Sequence, residues 1–435
     1  MGGGGIMRKI CVLLCVLGLL SLGASPLFAG GIINKQNQSA DYVRTLNRNA
    51  ATDAADIVAY NPAGVMKLEN GFYTKLDVMY FNKEYSNTVP GFDEFESDEP
   101  SIIPGFFAVY KQDRWAGFFA VTIPGGGGAV EYPNGDASTA SLASSIITQY
   151  NRAGYGIIYT GINSMKLEAD SMDVGYNMGG AFKINEMFSV AGGLRYIDAK
   201  QSFKGEAVLD RNPANPASRL FGTTYDVDVE RTATGWGYFL GLNVTPIDKL
   251  NLGLFYISNT ELDFESEVSE DTAIGTTTIA RLLGWEDGSK QREDLPGELG
   301  LGASYIITPQ LRVEVDYTLF LENSATFESD RLEGKTGNSW ETGIAFEYTI
   351  NPRWKTSVGY LRTDIVGLPT DNKLPEAPEL DADTISAGVV FSPLERLKLT
   401  LGALKVWYDS EEMSSGVKLE KDVWAVALGV QYRFF

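Results

Sequence analysis

The 435-residue chain carries 36 Lys and Arg against 56 Asp and Glu, a net charge of −20, and no histidine. Histidine-based catalysis and histidine-ligated metals are thereby excluded, and the lack of any basic cluster argues against a nucleic-acid partner, whose phosphates need a positive footprint. With 47 glycines, 21 tyrosines and 22 phenylalanines spread evenly and no linker between them, one aromatic, glycine-rich β architecture fits better than several globular domains.

The chain opens on an address. Met7, Arg8 and Lys9 make a basic n-region, Ile10 to Leu22 an apolar stretch, and Gly23 to Ala29 a small-residue cleavage region. Residues 1–29 therefore read as a secretory signal peptide, with Met1 to Ile6 as extra sequence ahead of a start at Met7. The apolar run is shorter than the ~20 residues a membrane-spanning helix needs. Cys11 and Cys15 both lie in this leader, so its removal leaves no thiol. Residues 30–70 do not alternate; Asp41 to Asn49 has helical character, and Asn61-Pro62 is expected to stop a helix, because the residue before proline avoids the α region.

From Gly71 to the end the hydrophobic period is two. Phe72, Thr74, Leu76, Val78 and Tyr80 face one way and Tyr73, Lys75 and Asp77 the other. The pattern recurs at Leu311, Val313, Val315, Tyr317 and Leu319, and at Trp340, Ile344, Phe346, Tyr348 and Ile350. Short turns, at Lys111 to Arg114, Ile184 to Met187, Thr245 to Lys249, Thr308 to Gln310, Asn351 to Arg353 and Ser392 to Glu395, alternate with long polar loops. The loops are Lys83 to Ile102, Gly125 to Asp170, Lys200 to Thr223, Glu261 to Leu295, Glu322 to Asn338, Gly367 to Asp381 and Asp409 to Asp422. Fourteen strands result, and short turns on one side with long loops on the other are the signature of an outer-membrane barrel. Trp115 and Trp354 follow short turns while Trp340, Trp407 and Trp424 border long loops, as two interfacial girdles require. The last strand alternates from Trp424 to Phe434, with Phe435 out of phase. A barrel this wide leaves an open lumen unless something fills it, and residues 30–70 are the available filler; a small periplasmic appendage is the alternative.

The order of short motifs before the first strand, Gln38-Ser39-Ala40, then Ala50-Ala51-Thr52-Asp53-Ala54-Ala55-Asp56, then Asn61-Pro62-Ala63, resembles the long-chain fatty acid transporter (FadL) family, which includes importers of aromatic hydrocarbons. The resemblance implies an all-β, 14-stranded antiparallel transmembrane β-barrel at 71–435 with a small helical N-terminal hatch at 30–70 that plugs the lumen. It puts Gln38, Ser39, Ala40, Asn61, Pro62 and Ala63 in the hatch. It also implies a kinked third strand that opens laterally, and Pro124, Gly125, Gly126, Gly127 and Gly128 are where that opening belongs, since proline removes a ladder donor and glycines remove side chains from the wall. The same run is equally readable as a flexible loop start.

A fatty acid's carboxylate would favour a basic partner in an apolar pocket, for which Arg195 and Lys200 are candidates; Arg312, near Glu314 and Asp316, reads rather as a salt-bridged lumen residue. Met79, Phe119, Phe239, Phe255 and Leu361 are candidates for an apolar lining, or for packing against the hatch. The expected function is passive import of a hydrophobic small molecule, foremost a long-chain fatty acid, across the outer membrane of a Gram-negative bacterium. The expected partners are outer-membrane lipid and lipopolysaccharide and, during biogenesis, the barrel assembly machinery. No cofactor or metal is expected: the acidic loops match no calcium-loop spacing. An aromatic hydrocarbon importer and a general diffusion porin are the alternatives, and an outer-membrane hydrolase lacks a histidine for the usual serine triad.

Overall fold

The computed structural model describes residues 31–36, 38–126 and 128–435; the predicted leader lies outside the described residues. Fourteen antiparallel strands form one closed barrel. They are β1 (Gly71–Thr88), β2 (Ser101–Lys111), β3 (Trp115–Gly125), β4 (Tyr159–Lys183), β5 (Phe188–Arg211), β6 (Thr224–Ile247) and β7 (Leu250–Ile257). The circuit continues with β8 (Glu298–Ile306), β9 (Leu311–Phe320), β10 (Trp340–Asn351), β11 (Trp354–Asp364), β12 (Ala382–Leu394), β13 (Leu397–Tyr408) and β14 (Lys418–Arg433). Each strand pairs with the next, and β1 pairs with β14 from Tyr73↔Arg433 to Thr88↔Lys418, which closes the wall and leaves no sheet edge.

The alternation orients the strands as the sequence predicts, but inside out relative to a soluble protein. On β1 and β14 the phase of Val78, Tyr80, Leu428 and Val430 is exposed, while Lys75, Asp77 and Gln431 are buried. Large apolar side chains stand outward where lipid solvates them, and charges point into the lumen. Tyr110 on Trp115, Trp354 on Phe391 and Tyr80 on Trp424 are ring contacts of the two girdles. Phe434 donates its backbone N–H to Phe72 (2.8 Å), and beyond the end of β14 the ring of Phe435 reaches Tyr110, so its departure from phase is absorbed after the ladder ends.

Two expectations are corrected. Residues 159–170 and 200–211, read as parts of loops, are strand: β4, β5 and β6 run 25, 24 and 24 residues, about twice the ~9–11 needed to cross a bilayer. Helix α1 spans only Ala40–Val43 rather than 41–49, because Leu46 takes a left-handed φ of 58°, which ends the turn. Helix α2 (Ala137–Arg152) sits in the loop after β3, started by a capping box between Asp136 and Thr139.

Candidate functional site

Residues 31–70 lie against the lumen face of the wall and are almost wholly buried. Ser39 caps α1 by accepting from Tyr42 N–H (3.0 Å) and donates to Asp56 (2.7 Å). Asn61 stands between two 3-10 turns: Ala55–Ala59 ends just before it, as the sequence implies, and its side chain starts the next, accepting from Ala63 N–H (3.3 Å) with Pro62 at the first position of Pro62–Lys67. The Asn61 amide also donates to the carbonyls of Asn49 (3.2 Å) and Leu242 (3.0 Å), the latter on β6. Ser189 donates to the Ala63 carbonyl (3.0 Å), and Gln38 donates its side-chain amide to the Lys35 carbonyl (3.1 Å).

So little regular structure leaves many backbone N–H groups without internal partners, and the wall supplies acceptors. Ala40 N–H donates to Asp77 (3.0 Å), Asn49 to Asp316 (2.7 Å), Ala50 to Glu314 (3.1 Å) and Ala55 to Gln431 (2.7 Å). Close approach is made possible by inward glycines on successive strands. A Cβ at Gly302 would stand 2.6 Å from Ala50 N, and Cβ atoms at Gly253, Gly359 and Gly388 would collide with Asn49, Thr45 and Arg44. Strand periodicity alone does not reveal this ring; its signal is a glycine at the inward phase of one strand after another.

A buried charge network locks the segment. Arg48 bonds Asp53 and Asp56 (2.8 Å each), and Arg44 bonds Asp41 (2.7 Å) and Glu347 of β10 (2.6 Å). Lys75 of β1 pairs with Asp41 (3.2 Å) and Asp77. Burial works to raise the Asp53 carboxyl, but Arg48 foremost, then Arg312, Lys355 and Arg44, outweighs it and holds that carboxyl well below its usual range.

The wall is interrupted at β3. Its ladder with β2 runs only from Phe106↔Val121 to Lys111↔Ala116, although β2 continues to Ser101 against β1. On the other edge the register with β4 shifts between Thr122 and Gly125, where Gly125 opposes Asp173. The N-terminal segment meets this point: Asn34 bridges Gly125, and Lys35 N–H donates to the Pro124 carbonyl (2.8 Å). Gly126 and Gly128 take left-handed φ values of 95° and 80°, which suit glycine; Gly127 lies outside the described residues.

Beside this interruption opens a cavity of about 730 Å³, walled by the N-terminal segment, the outer halves of the strands and the long loops. Its apolar surface comes from Ile33, Phe203, Phe264, Trp285, Leu295 and Leu380. The Arg231 guanidinium lies 5.0 Å from the Phe264 ring and 5.4 Å from the Trp285 ring, held by Gln201 (2.7 Å) and Gln291 (3.0 Å). Burial pushes the Glu376 carboxyl, on the loop that roofs the cavity, up to about 8, and the Asp136 charge adds to the rise. Among the described residues no cluster of His, Cys, Asp or Glu is arranged to hold a metal ion.

The residues singled out for a pocket are dispersed by the fold. Arg195 is buried and faces inward, donating to the Ser258 carbonyl (3.2 Å) and Thr260 hydroxyl (3.1 Å), but it does not line the cavity. Lys200 faces outward and pairs with Glu230 (2.7 Å), a correction that period-two counting explains: five residues apart on one strand, Arg195 and Lys200 fall on opposite faces. Phe119 likewise faces outward against Phe106, and its neighbour Phe118 is the inward ring, tilted against Phe239 (ring centroids 6.0 Å apart). Met79, Phe239, Phe255 and Leu361 do face inward, yet none lines the cavity; Met79 and Leu361 pack in a cluster with Ala40, Val43 and Leu46, and Phe239 in one with Ile57 and Val65. Arg312 is the salt-bridged lumen residue expected, 2.7 Å from Glu314.

A family model described as outer membrane protein transport protein (OMPP1/FadL/TodX) matches residues 20–434. Among solved structures the chain resembles a Pseudomonas aeruginosa FadL homologue (13% identity, TM-score 0.66, 95% of this chain and 100% of that one). It also resembles the P. putida toluene transporter TodX (13%, 0.63, 88% and 96%) and the Ralstonia pickettii toluene transporter TbuX (14%, 0.61, 90% and 99%). No curated protein matches it in sequence.

Proposed function

The chain belongs to the OmpP1/FadL/TodX family of outer-membrane transport proteins, and from that premise we propose that it imports long-chain fatty acids passively, through a hatch-plugged barrel with a lateral exit at β3. The observation that carries this reading is the apolar cavity of about 730 Å³, a size suited to a small amphiphile, lying next to the one place where β2 and β3 lose their ladder. A greasy ligand that had to leave along the axis would enter periplasmic water, whereas a gap in the wall releases it among apolar surfaces. In this proposal residues 30–70 are the hatch, with Gln38, Ser39, Ala40, Asn61, Pro62 and Ala63 among its fixed points, and Pro124 to Gly128 frame the exit. Lipopolysaccharide around the outer loops and the assembly machinery acting on β14 are the proposed partners.

A second reading, import of an aromatic hydrocarbon, is favoured by Phe203, Phe264 and Trp285 in the cavity wall. Two of the similar structures are toluene transporters. A porin is disfavoured by the buried segment across the lumen. Mass spectrometry of the ligand that co-purifies with the barrel, with displacement by palmitate and by toluene, tests the reading. A stoichiometric fatty acid displaced by palmitate supports it, a ligand displaced by toluene alone supports the second, and an empty barrel that conducts sugars overturns both.

A further inference from the structure

The cavity wall carries both signs of charge, and most of that charge is already matched. Arg331 pairs with Glu379 (2.7 Å), Arg231 with Glu293 (3.4 Å) and Arg281 with Glu286 (2.9 Å). Glu376, pushed up to about 8, is neutral at pH 7. Lys35 differs. It is 8% exposed, it lines the cavity, and its ammonium makes no hydrogen bond or ion pair among the described residues.

A nine-tenths-buried ammonium without a bonded counter-charge is costly, and such a group is retained where a ligand completes it. Burial lowers the Lys35 ammonium to about 8, opposed by the charges of Glu379, Glu341, Asp173 and Glu322. It is therefore still mostly cationic at pH 7. Ile33 and Leu295 share the cavity wall with it, as does Lys421, whose ammonium is already engaged by the Pro378 carbonyl (3.0 Å), so among the described residues Lys35 is the cation of that wall left without a bonded partner. Its backbone N–H is bonded to the Pro124 carbonyl, which fixes the Lys35 backbone beside the interruption of β3, while its side chain extends into the cavity wall.

We propose that Lys35 receives the anionic headgroup of the transported amphiphile and so makes this barrel prefer a fatty carboxylate to a neutral molecule of equal length. The inference rests on the transport reading and adds to it the residue that selects the headgroup. An ammonium offers three donors to a carboxylate in a site from which water is largely excluded, which makes the pair stronger than at a surface. A neutral ester or hydrocarbon would leave the ammonium buried and unmatched.

The experiment is equilibrium binding of palmitate and of methyl palmitate to the full barrel in lipid nanodiscs at pH 7, for wild type, Lys35→Met and Lys35→Arg. Wild type is expected to bind palmitate at least tenfold more tightly than the ester, Lys35→Met to bind both alike, and Lys35→Arg to keep the preference. In wild type the preference is expected to shrink between pH 7 and 10 as the ammonium loses its proton, and in Lys35→Arg to persist. A preference unchanged in Lys35→Met, or absent from wild type while both ligands bind, overturns the assignment of Lys35 and leaves the transport reading standing. Failure of palmitate, ester and toluene alike to bind a folded barrel overturns both.

Discussion

Arg48 has no exposed side-chain surface and holds two carboxylates, Asp53 and Asp56, on the segment it belongs to. Replacing it by methionine leaves the buried Asp56 without its cation and the half-buried Asp53 with Arg44 alone, a loss of about 3–5 kcal/mol in comparable buried pairs. Hydrogen exchange is expected to accelerate across residues 40–67 in Arg48→Met while β9 to β14 keep their protection. Asn61→Ala is milder: one cap and two donated bonds are lost, about 1–3 kcal/mol, and fatty acid uptake is expected to change while the barrel keeps its heat-modifiable mobility on gels. Glu376 gives a pH dependence with a definite sign. Its folded value of about 8 lies above the ordinary 4.5, so between those values the folded protein binds a proton that the unfolded one does not, and the contribution to stability falls as pH rises through that window. Protection factors in the 365–381 loop are expected to fall from pH 6 to 9 in wild type and to stay level in Glu376→Gln. At this scale the sequence was readable only in part. Ser39 and Asn61 are residue types that cap helices, yet Asn61-Pro62 read only as a helix stop, and Lys35 has no sequence context that separates it from any solvated lysine, because the groups around it, Pro124, Asp173 and Glu379 among them, lie far along the chain.

The strands were legible because lipid demands a strict outward phase, and that demand ends where the bilayer does. Above it, β4 to β6 continue with charged outward residues that pair along a strand, Lys166 with Glu168, and across strands, Lys200 with Glu230 and Lys204 with Asp228, so the hydrophobic period disappears while the ladder persists. That is why residues 159–170 and 200–211 read as loop, and why Lys200 was mistaken for a lumen residue. The glycine ring and the exit proposed at β3 belong to this scale as well. Continued in register, the short β2–β3 ladder would set Pro104 opposite Ile123. A cysteine pair at those two positions, oxidised, is expected to lower uptake at least fivefold, with recovery on reduction; uptake indifferent to oxidation would sink the lateral exit.

As a whole the molecule stores its charge inside and its grease outside, and the lumen charges are matched by a segment that is itself part of the chain. Deleting residues 31–70 exposes Asp77, Glu314, Asp316 and Glu347 to water rather than to a new apolar environment, so the closed barrel is expected to survive and its conductance in planar bilayers to rise severalfold. Unchanged conductance would mean that the loops alone seal the pore.

The strand that completes the wall is also the strand that holds the segment: β1 zips to β14 on its edge while Lys75 and Asp77 on its inner face grip Asp41 and Ala40. Sealing the wall and gripping the segment therefore draw on the same strand. The other grips on the segment, Leu242, Asp316 and Glu347, lie on strands away from that seam, so closure of the wall adds the last of several holds on it. A barrel that closes around a segment already held in place would give the outer membrane no open pore while the protein is being built.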